Sequence, residues 1–179
     1  MLLIYGGYFM SILITGGAGY IGSHTCIQML NAGFDIVVVD NLCNSKKESI
    51  NRIQKLTGKH FKFYVFDLAD ETQLKKVFSE NNIEAVIHFA GLKAVGESGQ
   101  KPLEYYDNNI TSTLILCKVM REFNVKKIVF SSSATVYGLA TEMPLVEDMP
   151  LGAINPYGRT KLFIEYILKD IYNSHNEWS

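Results

Sequence analysis

Tyr157 and Lys161 stand one helical turn apart, so on a helix they share a face. A lysine ammonium beside a phenol favours the phenolate. Such a tyrosine can remove a hydroxyl proton while the attached carbon gives up hydride to a bound acceptor. Shortly upstream, an apolar run ends in Ser131-Ser132-Ser133. The Ser133 hydroxyl is expected to hydrogen-bond the substrate oxygen that alternates between alcohol and ketone. For Ser131 and Ser132 the competing reading is backbone satisfaction at a strand end. Tyr-x-x-x-Lys alone is common on exposed helices, so its weight comes from what precedes it.

What precedes it is a place for the acceptor. Thr15-Gly16-Gly17-Ala18-Gly19-Tyr20-Ile21-Gly22 joins an apolar run to a helical pattern. Gly17, Gly19 and Gly22 fit G-x-G-x-x-G; Gly16, Gly19 and Gly22 fit the looser G-x-x-G-x-x-G. Glycines here permit a tight turn, let backbone approach a pyrophosphate and let the helix pack close to the strand, while the helix N-terminus offers unpaired N–H groups. A glycine cluster alone also reads as a flexible turn. The acid roughly twenty residues on, at the end of the second strand, decides between them. That acid is Asp40, placed to accept hydrogen bonds from an adenosine ribose. Its charge repels the 2′-phosphate of NADP, so NAD is the expected cofactor. Asn41, Asn44 and Ser45 follow it, either completing the ribose contacts or serving as capping and turn residues. Asp67 and Leu68 end the third strand, where the carboxylate can meet an adenine amino group. Phe89-Ala90-Gly91 ends the fourth at the same edge.

The elements that must position these groups alternate strand and helix. Strands are expected at Ser11–Thr15, Asp35–Asp40, Phe61–Phe66, Ala85–Phe89 and Lys127–Ser132. Helices are expected at Tyr20–Ala32, Lys46–Thr57, Glu71–Asn81, Pro102–Phe123 and Pro156–Asn173. This is the α/β class: a doubly wound, Rossmann-type parallel sheet in one domain over residues 10–179. Residues 1–9 lack a basic region and a cleavage site, and read as a non-native or mis-assigned leader with Met10 as the natural start. The last helix is due to return the chain to the sheet, and the sequence stops where that strand is expected. On this reading the domain is truncated before its last strands and a C-terminal substrate domain, leaving the fifth strand with an open edge.

Composition closes off other classes. The chain has 179 residues, 47% hydrophobic and 20% charged, a globular balance with room for a core. Its 17 basic and 18 acidic side chains give no field for nucleic acid or a membrane surface. Cys26, Cys43 and Cys117 are far apart, as are His24, His60, His88 and His175, so neither a metal site nor a disulfide framework is expected, and a reducing cytoplasm is the expected location.

Several of these segments carry a family resemblance. Thr15–His24 (T-G-G-A-G-Y-I-G-S-H), Asp40–Ser45 (D-N-L-C-N-S), His88–Ser98 (H-F-A-G-L-K-A-V-G-E-S), Pro102–Asn109 (P-L-E-Y-Y-D-N-N), Ser131–Gly138 (S-S-S-A-T-V-Y-G) and Pro156–Lys161 all resemble UDP-glucose 4-epimerases of the extended short-chain dehydrogenase/reductase family. The match runs from about Met10 to the end. It implies oxidation of C4 of UDP-galactose by tightly held NAD and return of hydride to the other face of the 4-keto sugar. Tyr157 would be the acid/base, Ser133 its hydroxyl partner, and Lys161 its electrostatic support and a ribose ligand. Tyr20, Ile21, Asp40, Asp67, Phe89, Lys93 and Asn108 would contact NAD. The resemblance also implies a homodimer through the helices at 102–123 and 156–173. Related 4,6-dehydratases place Asp-Glu where this chain has Ala134 and Thr135, which disfavours that chemistry. The remaining rival is a non-catalytic NAD-binding fragment, because without a uridine-gripping domain turnover is expected to collapse.

Overall fold

A computed structural model describes residues 10–140, 142–174 and 177–179. The expected leader at 1–9 lies outside them. Strands β1 (Ser11–Thr15), β2 (Asp35–Asp40), β3 (Lys62–Val65), β4 (Ile83–His88) and β5 (Lys127–Phe130) form one five-stranded sheet in the order β3-β2-β1-β4-β5. All four pairings are parallel. The order reverses between β1 and β4, the switch point at which doubly wound sheets bind ligands.

Side-chain alternation assigns the two faces. Ile14, Ile36 and Val38 pack with Cys26 and Leu30 of helix α1 (Tyr20–Asn31) and with Ile50 and Ile53 of α2 (Lys47–Thr57). Leu13, Val37, Val39 and Val86 point the other way. They meet Leu74, Val77 and Phe78 of α3 (Glu71–Glu80) and, after a break described below, Leu116, Val119 and Met120. Local signals start and stop the helices. Asp70 caps α3 by accepting the Gln73 N–H at 3.0 Å, and α2 ends on Gly58 at φ 65°.

Two stretches depart from the sequence expectation. Residues 102–123 do not form one uniform helix: α5 (Pro102–Tyr106) passes through a π-helical stretch at Asp107–Thr111 into α6 (Ser112–Glu122). Ser112 and Thr113 hydroxyls bond back to the carbonyls of Asn108 and Asn109, the kind of competition that widens a helix locally. A short helix, α4 (Val95–Gln100), precedes it where none was expected, since G-E-S-G-Q carries no apolar period. Tertiary bonds hold it instead: Tyr105 donates to Glu97 at 2.9 Å, and Lys101 pairs with the same carboxylate at 3.1 Å.

The last helix, α7 (Pro156–Ser174), packs on α4 and α5, with Tyr106 and Phe163 stacked at 6.2 Å. Beyond it the chain does rejoin the sheet. Ser179 N–H donates to Lys126 O at 2.9 Å and Ser179 O accepts from Ile128 N–H at 2.8 Å. That pattern is a parallel bridge opposite Lys127. The edge expected to be open is therefore paired at this point, while Val129 beyond it stays 65% exposed. Trp178, the single tryptophan, is buried in the core with Val125 and Met120. Replacing it with alanine is expected to cost about 3–5 kcal/mol, the usual range for a buried aromatic. Urea melts followed by circular dichroism check this, and an unchanged midpoint would show that the C-terminal residues do not contribute to the core.

Candidate functional site

The glycine turn owes its shape to crowding. Gly16 has φ 69°, and a Cβ on it would sit 2.7 Å from Ala90 N. A Cβ on Gly22 would sit 2.3 Å from Gly16 O. Gly16 is thus the turn residue and Gly22 the close-packing one, while Gly17 is crowded from the sheet side, where a Cβ would sit 2.6 Å from Val38 Cγ1. Helix α1 begins after Gly19 with no acidic residue in its first turn, so its free N–H groups face outward without a built-in anion.

Asp40, at the end of β2, is fixed from three sides. Its carboxylate accepts from Ala18 N–H at 3.0 Å, Leu42 N–H at 2.9 Å and the Ser45 hydroxyl at 2.7 Å. Ionised carboxylates have about four acceptor positions, so one remains for a ligand. Ser45 is an Asp40 partner and not a helix cap, since α2 starts after Lys46 without a side-chain cap. Asn41 reaches across to Asp67, donating at 3.0 Å, and ties the ends of β2 and β3 together.

Around the switch point one cleft collects the expected cofactor residues. Gly16, Gly19, Tyr20, Ile21 and Gly22 line it from the turn; Asp40, Asn41, Asn44, Ser45, Asp67 and Leu68 from the β2 and β3 ends. Phe89, Ala90, Gly91, Lys93, Asn108, Ser131, Tyr157 and Lys161 line its other side. Ser133 is not among the lining residues. Its hydroxyl accepts from Thr135 N–H at 3.2 Å and Thr135 Oγ1 at 3.0 Å, capping a 3-10 turn at Ala134–Tyr137 and leaving its own proton free to donate. Ser132 lines the cleft as well, and its Oγ donates to the Glu165 carboxylate, a side-chain and not a backbone partner.

Lys161 is 5% exposed, donates to Ser131 O at 2.9 Å and lies 4.6 Å over the Phe130 ring. Burial pulls its pKa down to about 8, which still leaves the ammonium mostly protonated at neutral pH.

Two buried groups were missed from sequence. His88 is fully buried, bonded to Thr15 Oγ1 at 2.7 Å and Thr113 Oγ1 at 2.9 Å. Thr113 gives its proton to Asn109 O, so it accepts from His88 Nε2–H, and Nδ1 accepts from Thr15. Burial, then the Lys161 charge, hold this imidazole neutral, with a pKa of about 3. Asn109 accepts Leu92 N–H at 2.7 Å and donates to Leu92 O and Thr160 Oγ1, each at 3.0 Å. It joins the loop after β4 to the helix that bears Tyr157. Neither residue has a signal in spacing; an Asn beside the expected Asn108 was the only hint.

Among the described residues no group of three or more His, Cys, Asp or Glu is placed to hold a metal, and no helix is long and apolar enough to cross a membrane.

Comparison with known proteins agrees with this fold. Residues 13–179 match the family model described as GDP-mannose 4,6 dehydratase. UDP-glucose 4-epimerase of Bacillus subtilis (strain 168) is 62% identical over 170 residues, 95% of this chain and 50% of that protein. The crystal structure of UDP-glucose 4-epimerase from Bifidobacterium longum, in complex with NAD+ and UDP, superposes with a TM-score of 0.93 at 54% identity, covering 95% of this chain and 51% of that one. The UDP-Glc/GlcNAc 4-epimerase of Campylobacter jejuni gives 0.89 at 40% identity, covering 95% and 51%. The chain spans about half the length of the curated relatives it matches.

His88 makes stability pH-dependent. Its folded pKa lies below the unfolded value of about 6.5, so the unfolded state binds the extra proton between about pH 6.5 and 3, and stability falls as pH drops through that window. From pH 6.5 to 5 this amounts to about 2 kcal/mol at most. Denaturant melts of His88→Gln at those two pH values are expected to show a smaller acid loss than the unmodified chain; equal losses would contradict the neutral-imidazole assignment.

Proposed function

Because the chain belongs to the family described as GDP-mannose 4,6 dehydratase, with UDP-glucose 4-epimerases as its relatives, we propose that it carries the NAD site and acid/base pair of a UDP-sugar 4-epimerase. The observation that carries this is the single cleft at the β1/β4 switch point, where a rigid Asp40, a crowded glycine turn, Tyr157 and Lys161 converge. Gly16 and Gly22 let the turn, the end of β4 and α1 pack backbone to backbone, and this supports a cleft in which the α1 N-terminus offers donors for a pyrophosphate.

Asp40 would take a ribose hydroxyl with its remaining acceptor position and repel a 2′-phosphate; Asp67 and Leu68 would face the adenine. Lys93 and Asn108 would hold the cofactor's central part. Bound there, NAD supplies a hydride acceptor that returns the same hydride, so no net redox change results. Tyr157 removes the proton from the sugar 4-hydroxyl and restores it. Lys161, anchored by Ser131 O and the Phe130 ring, would serve as the electrostatic support of Tyr157 and as a ribose ligand. Ser133 keeps its proton available for the sugar oxygen. Dehydration is disfavoured despite the family's name: expelling a C6 hydroxyl needs an added acid and base, and Ala134 and Thr135 offer neither.

A second reading follows from the share of its relatives that the chain matches, about half. On that reading the chain is an NAD-binding unit without turnover of its own. Two further points belong to the proposal. The chain pairs with a second copy through helices at 102–123 and 156–173, where Leu103, Leu114, Phe163 and Tyr166 are exposed apolar or aromatic side chains. It works in a reducing cytoplasm, in keeping with three unpaired cysteines.

Fluorescence titration with NADH and NADPH tests the site. NADH is expected to bind at least about tenfold more tightly, and Asp40→Ser to erase most of that preference. Failure of both nucleotides to bind would sink the proposal. A coupled assay for UDP-galactose conversion then separates the two readings: turnover abolished by Tyr157→Phe supports the epimerase, and NADH binding without turnover supports the binding unit.

A further inference from the structure

Lys93 stands on an exposed loop between β4 and α4, yet the backbone on both sides of it is pinned. Leu92 is held through its N–H and its carbonyl by the Asn109 amide, at 2.7 and 3.0 Å. Ala94 N–H donates to the hydroxyl of Tyr105 at 3.0 Å. Tyr105 and Asn109 are one turn apart on the same helical segment, so they form a two-point clamp with Lys93 between its jaws. The Tyr105 ring is 1% exposed, and its hydroxyl also donates to Glu97 Oε2 at 2.9 Å, with Lys101 on the other oxygen at 3.1 Å. A phenol that accepts one bond and donates another is fixed in direction. Ala94 is the N-cap residue of α4 and has no side-chain cap of its own to offer the helix.

We infer that Tyr105, oriented by Glu97, is a positioning residue that holds the Lys93 segment against the cleft and so sets the affinity for the dinucleotide. This rests on the NAD reading of the cleft. A long amine on an unclamped loop would have to be ordered at the moment of binding, and that ordering would subtract from affinity. With the clamp in place the backbone is ordered beforehand. Asn109 cannot serve alone, because it bonds nothing beyond Leu92 on this loop, and the chain could pivot there.

Tyr105→Phe removes only the hydroxyl and keeps the ring that fills the core. It is expected to weaken NADH binding by about five- to tenfold, to leave the melting midpoint near that of the unmodified chain, and to raise hydrogen exchange at the Ala94 amide. Lys93→Ala should weaken binding at least as much. The double variant should bind no more weakly than Lys93→Ala, because the hydroxyl acts through the lysine. If Tyr105→Phe binds NADH as well as the unmodified chain, or weakens binding equally with and without Lys93, the inference is overturned. Should Lys93→Ala itself leave binding unchanged, the role given to Lys93 in the cofactor site fails instead. If Tyr105→Phe melts early, Glu97→Gln provides the second test. It keeps an acceptor for the phenol but weakens the charge-assisted bond, and must still lower NADH affinity by a measurable factor.

Discussion

Close contact between two backbones governs this site. The turn after β1 runs so near the end of β4 that Gly16 could not carry a side chain, and α1 starts so near that turn that Gly22 could not either. Those two contacts fix where the first helix begins and therefore where its unpaired N–H groups point. They also fix the distance between the two halves of the sheet at their switch point. Asp40, the residues at the end of β3 and the helix that bears Tyr157 are arranged around a slot whose width the glycines set. A methyl group at either position would move whole elements, since the obstructing atoms are backbone.

Much of this was legible from the residues. The β-branched run at Asp35–Asp40 gave a strand with those bounds, because a buried parallel strand leaves few alternatives. The glycine turn and Asp40 could be paired in advance since both places depend on chain position alone, and the two meet through Ala18 N–H. The same holds for Tyr157 and Lys161, whose shared face is a matter of helical period. Ser133 shows the limit of that reasoning. Its hydroxyl sits in a capping arrangement off the cleft lining, which spacing from a strand end cannot reveal.

What stayed hidden was the buried polar wiring. His88, Thr15, Thr113 and the Asn109 carbonyl form a chain of hydrogen bonds from the glycine turn to the helix beyond β4, assembled from residues far apart in sequence. The helix α4 was hidden for a related reason, as its support comes from Tyr105 and not from an apolar stripe. The π-helical stretch belongs here too. Within the stretch Asp107–Thr111, Asn108 lines the cleft while Asn109 next to it turns inward. For the buried histidine and for α4 the decisive partner is a tertiary neighbour, and period or propensity carries no trace of it.

The strand order has a consequence for how the molecule acquires its shape. β1 pairs with β2 across a connection of one helix, but with β4 only after some seventy residues have been laid down, Ser11 opposite Ile83. Loop-closure entropy delays the longer pairing, so the β3-β2-β1 layer with α1 and α2 is expected to organise before β4 and β5 dock on it. The cleft straddles that seam. The half that carries Asp40 would exist in an early intermediate and the half that carries Tyr157 would join it late, an order that pulse-labelled exchange during refolding can time.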